Sequence, residues 1–126
     1  MRKLDAAIAE ALGWTKIGHK DYSMGMSTWW GNPPKPKIER FGDERDTKDI
    51  PMYSTDGNAM LELLAEMIKR KWIFQSNYYQ TWQAEFIAVD NEGLWTVERF
   101  ANADTLPEAV ALAAYKALTG QEWEDA

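Results

Sequence analysis

Apolar residues recur at helical spacing in three stretches of the chain. Leu4, Ala7, Ile8, Ala11 and Leu12 share one helical stripe, and Gly13 stands where such a helix stops. The second stripe is Ala59, Met60, Leu63, Leu64, Met67 and Ile68, with Glu62 and Glu66 on the other side. Before it stand Ser54, Thr55 and Asp56, whose oxygens accept the free amides of a first turn, and after it Lys69, Arg70 and Lys71 suit a helix C-terminus. The pattern predicts a helix over residues 56–71. The third stripe is Leu106, Val110, Ala113, Ala114, Ala117 and Leu118. It opens at Thr105-Leu106-Pro107-Glu108, where the hydroxyl caps the first turn, Glu108 reaches back, and the proline costs little; Gly120 ends it.

Between the last two helices the period is two. Residues 72–76 read as a strand, 77–80 as a turn and 82–89 as the returning strand. There Trp82, Ala84, Phe86 and Ala88 alternate with Gln83, Glu85, Ile87 and Val89, which fits a sheet with a partly covered second face. Asp90-Asn91-Glu92-Gly93 reads as a hairpin connection and residues 94–100 as the next strand. The order helix, strand, strand, strand, helix predicts an α+β fold. Residues 14–18 start an extended segment, and residues 19–50 are punctuated by Gly25, Gly31, Pro33, Pro34, Pro36 and Gly42. Within that irregular stretch, 27–30 and 38–41 read as short strands and 42–49 as a solvated loop. Residues 121–126 form an acidic tail. The whole, residues 1–126, is expected to be a single domain, which at this length hides about two thirds of its unfolded surface.

At these residues the chain resembles the phage ABA sandwich domain family, small proteins of bacteriophages and prophages. The similarity lies in the early helix ending at Leu12-Gly13-Trp14, the central Pro51-x-Tyr53-Ser54-Thr55-Asp56, and the Trp82 strand with Ala84 and Phe86. It closes with Ala103-x-Thr105-x-Pro107-Glu108-Ala109 and Ala113-Ala114. Residues 20–49 are the least matched part. The resemblance implies an α/β/α-type sandwich with a mainly antiparallel sheet of about four strands and three helices, and a phage or prophage origin. It brings no catalytic residue with it, because its recurring positions are caps, stripes and strands. Function lives in a site rather than in a scaffold.

Charge and composition narrow the functional classes. A net charge of −6 disfavours general nucleic-acid binding, which needs a basic face to displace counterions. With no cysteine there is no disulfide, thiolate nucleophile or cysteine-based metal site. The early charges of Arg2, Lys3 and Asp5 leave no signal-peptide core, and no window approaches the ~18 apolar residues of a membrane span. A cytoplasmic location, in a bacterial host cell, is the expectation. Neither phosphate-binding glycine fingerprint occurs, and the acids Asp43, Glu44, Asp46 and Asp49 lack calcium-loop spacing and are interspersed with Arg45 and Lys48. No metal and no cofactor are expected.

Seven Trp residues are many for 126 positions, and aromatic residues serve both cores and interfaces. Adjacent Trp29 and Trp30 on a strand must point to opposite faces, so one of them meets a helix, a loop, a partner or a ligand. The candidate binding set is therefore His19, Tyr22, Trp29, Trp30, Arg40 and Tyr53, with Tyr78 and Tyr79 adding to it at a hairpin tip. His19, the single histidine, has no nucleophile motif beside it. The expectation is a non-enzymatic phage accessory protein that binds a host or phage protein. The alternative is a small-molecule binder, an anti-defence sponge for a nucleotide signal, in which Trp30 and Tyr22 stack and Arg40 pairs with the ligand. Hairpin strands of alternating polarity also leave an edge open to homodimerisation.

Overall fold

The computed structural model describes residues 2–22, 27–34, 47–89 and 95–124. Among them are three helices and six strands, an α+β fold as expected. Helix α1 (Arg2–Ala11) buries Leu4, Ile8 and Ala9. Gly13, at a left-handed φ of 106°, turns the chain out of it. Helix α2 (Gly57–Lys69) is capped by Asp56, whose Oδ2 accepts the Ala59 N–H at 3.2 Å. It ends two residues before the expected Lys71, because the chain must reverse at once into the next strand; Lys71 takes that reversal at a φ of 75°. Helix α3 (Leu106–Thr119) starts where Thr105 Oγ1 accepts the Glu108 N–H, and closes on Gly120 at a φ of 73°.

The strands fall into two antiparallel three-stranded sheets, where about four strands were expected. The first joins β1 (Thr15–Asp21), β2 (Ser27–Asn32) and the short β3 (Lys48–Asp49). Residues 48–49 thus pair with Trp30 and Gly31 instead of extending the solvated loop, and the Ile50 N–H continues the ladder to Trp29 O at 3.1 Å. The expected strand at 38–41 lies outside the described residues. The second sheet joins β4 (Trp72–Tyr79), β5 (Thr81–Val89) and β6 (Trp95–Ala103). Here the expected turn at 77–80 shrinks. Asn77, Tyr78 and Tyr79 stay in register with Gln83, Trp82 and Thr81, and Gln80 alone turns at a φ of 65°. The Tyr78 and Trp82 rings, 5.1 Å apart, hold that tip together.

Helix α3 organises the core. It packs on β5 and β6 and also meets α1 and α2. Ala109, Ala111, Ala113 and Ala114 are buried with Val110, and such small side chains let neighbouring backbones approach closely. Leu4, Ile8, Leu63, Met67, Ala84 and Phe86 fill the space around them. Trp72, Phe74 and Trp82 pack against the same cluster, so all three helices share that side of the β4–β6 sheet. Trp14, Ile17 and Trp29 bring one face of the β1–β3 sheet onto it.

Candidate functional site

Of the sequence candidates, β1 and β2 unite His19 and Trp29. They are cross-strand partners, and their rings stack at 4.2 Å with an interplanar angle of 14°. An open groove of about 350 Å³ lies over this stack, bounded by Arg2, Lys3, Asp21, Ser27 and Trp123. Trp123 is held there by the chain after α3: its ring stands edge-on to Tyr115 at 5.3 Å, and the adjacent Glu122 pairs with Lys116 at 3.0 Å. Arg2 is committed to structure. Its guanidinium donates to Asp5 Oδ2 at 3.0 Å and to the Ile50 carbonyl at 2.7 Å. Asp5 is fully buried and accepts the Ser54 N–H at 2.9 Å. Burial holds its carboxyl above the usual range, against the opposing pull of Ser54 and Arg2. Lys3 is thus the uncommitted cation of this groove among the described residues.

Tyr22 and Trp30 are on the other side of the same sheet. The Trp30 indole lies over Gly18, so close that a Cβ there would sit 3.0 Å from the ring and force it to shift. Lys20 places its ammonium 5.3 Å from the centre of the exposed Tyr22 ring. Tyr53 joins neither group. It is 4% exposed, in the core, and burial pushes its hydroxyl up to about 12, with Glu62, Asp5 and Glu66 adding to the effect. Arg40 lies outside the described residues. No cluster of three or more metal-ligating side chains occurs among the described residues.

A further surface forms on the second face of the β4–β6 sheet, away from the helices. Ile73, Tyr79 and Phe100 point outward there, with exposures of 44%, 82% and 46%. Ile87 shares the face and is fully buried. Register makes a checkerboard: Ile73 pairs with Ile87, which pairs with Glu98, and Gln75 pairs with Glu85, which pairs with Phe100. Each apolar side chain therefore has a carboxylate or an amide as a neighbour. Phe100 also receives Lys116 from α3, whose Nζ donates to the Phe100 carbonyl at 3.2 Å and stands 5.3 Å from its ring centre.

The Trp29-Trp30 pair stands out in the sequence, whereas this face does not. Its signal is Trp72-Ile73-Phe74. Three consecutive apolar residues on a strand cannot all face one core. Compared with known protein families, curated proteins and solved structures, the chain matches none.

Proposed function

We propose that this is a non-enzymatic binding protein of phage or prophage origin that acts in the bacterial cytoplasm on a host or phage protein. The observation that carries the reading is the outward face of the β4–β6 sheet. Exposed apolar side chains are common singly, but here Ile73 and Phe100 stand on either side of the buried Ile87, among Gln75, Glu85 and Glu98. A face that sets large apolar side chains among polar ones suits a protein contact. The origin rests on the resemblance carried by the caps, stripes and strands. No helix among the described residues is long and apolar enough to cross a membrane.

Affinity capture from bacterial cells, followed by reconstitution of the captured protein with the purified chain, tests this reading. A reconstituted complex is expected. Repeated capture with no reconstituting partner overturns it.

The second reading, a binder of a small nucleotide signal, draws on the groove over His19 and Trp29. A ring stack and Lys3 at one open cavity are suited to a base and a phosphate. It is the weaker reading, because Arg2 is engaged with Asp5 and Asp21 also lines the groove. Calorimetric titration with cyclic nucleotides and ADP-ribose derivatives is the test. Heat of binding that vanishes in Lys3→Ala supports it, and the absence of heat removes it.

A further inference from the structure

The outward face of the β4–β6 sheet carries information about what covers it. Its exposed apolar groups are Ile73 and Phe100, on either side of the fully buried Ile87, and the charged strand residues that share the face are Glu85 and Glu98. The two carboxylates are interleaved with the apolar side chains instead of lying outside them: Glu98 is opposite Ile87, and Glu85 is opposite Phe100. Any occupant that buries the apolar groups must therefore also take these two carboxylates out of water. Desolvating a carboxylate without a cation is costly, whereas a guanidinium or ammonium placed against it offsets that cost.

A second copy meeting it face to face would bring the same carboxylates and, among the described residues of those strands, no cation on that face, in a molecule whose net charge is −6. Lys116, which approaches Phe100 from the helix side, is already paired with Glu122 at 3.0 Å. An anionic membrane surface is repelled for the same reason.

We propose that this face docks a protein segment in which apolar side chains alternate with lysine or arginine. The proposal rests on the protein-binding reading above and adds the chemistry of the partner. Apolar groups of the segment cover Ile73 and Phe100, and its cations bridge Glu85 and Glu98. Complementarity of this kind fixes register and selects against acidic competitors more than it adds affinity.

The test uses the full chain and two short fluorescent peptides with one shared apolar pattern, one bearing lysine and the other glutamate at the alternate positions. Fluorescence anisotropy is expected to show the lysine peptide binding on the order of ten-fold tighter, the gain that two partly shielded ion pairs provide together. The preference is expected to reverse in Glu85→Lys/Glu98→Lys. It should persist in Glu10→Lys/Glu62→Lys, which changes net charge equally at exposed helix positions. Far-ultraviolet circular dichroism verifies that each variant is folded. Equal binding of the two peptides, or an equal effect of both double variants, overturns the proposal. So does concentration-dependent self-association of the chain that Phe100→Ser abolishes, since a second copy is then the occupant. A captured protein that reconstitutes equally with wild type and Glu85→Lys/Glu98→Lys also overturns it, while leaving the protein-binding reading intact.

Discussion

The two sheets solve the same problem in different ways. Each lays one face on the shared core and must leave large side chains on the other. In the β1–β3 sheet the outward Trp30 is sheltered by its own strand partner, since Gly18 gives up its side chain and the indole lies across the bare backbone. In the β4–β6 sheet the outward Ile73 and Phe100 have no such seat. The lesson is that a half-buried tryptophan beside a glycine is sheltered by the chain itself, whereas Ile73 and Phe100 keep nearly half of their surface open among carboxylates.

Comparing the two faces of the β4–β6 sheet gives the largest expected effect. Phe86→Ala empties a fully buried site and is expected to cost about 3–5 kcal/mol in urea unfolding, whereas Phe100→Ser on the outward face is expected to cost less than about 1 kcal/mol. Equal losses would mean that the second face is as much a part of the core as the first.

Tyr53 lies in the core both sheets share. Its folded hydroxyl titrates near 12 against an ordinary value of 10, so the folded state holds the proton more firmly than the unfolded one. Stability from this group is present below pH 10 and lost as pH rises toward 12, by an amount of about 3 kcal/mol. Tyr53→Phe is expected to flatten the steepest part of the alkaline unfolding profile. An unchanged slope would detach Tyr53 from that core.

Gly18→Ala tests the seat of Trp30. A methyl group 3.0 Å from the indole must displace the ring or the strand, at an expected cost of about 1–3 kcal/mol and with a red shift in tryptophan fluorescence. If stability and emission stay as they were, Trp30 is not sheltered in this way and the contrast between the sheets dissolves. The smallest effect belongs to the helix caps. Asp56→Ala and Thr105→Ala each remove an acceptor for a first-turn amide and are expected to cost about 1 kcal/mol, without changing either sheet's outward face.

Much of the fold was legible because local chemistry decided it. Asp56, Thr105, Gly13 and Gly120 mark helix ends by capping and by left-handed backbone, and each does so in the structure. Less legible was how strands divide. That β3 joins β2 at the edge of the first sheet depends on contacts between residues far apart in sequence, which no local pattern encodes. The turn at Gln80 was missed for a related reason: the ladder and the Tyr78–Trp82 pair carry Asn77 to Tyr79 as strand despite their turn-like composition. As for the site, Trp29 and Trp30 do separate to opposite faces, and His19 joins the first of them. Tyr53 belongs to the core because the turn from Met52 to Asp56 is tied to α1, where Asp5 accepts the Ser54 N–H, a tertiary fact. The outward face of the second sheet was encoded in Trp72-Ile73-Phe74 and in Ile87, whose flanking alternation hid it.

The most direct measurement is partner binding by two variants, each first verified as folded by circular dichroism. Ile73→Glu/Phe100→Ser alters the outward face of the β4–β6 sheet, and Tyr22→Ala/Trp30→Ala alters that of the β1–β3 sheet. With a reconstituted partner, calorimetry is expected to show binding lost in the first and retained in the second. Binding retained in the first and lost in the second would contradict the assignment of function to the β4–β6 sheet.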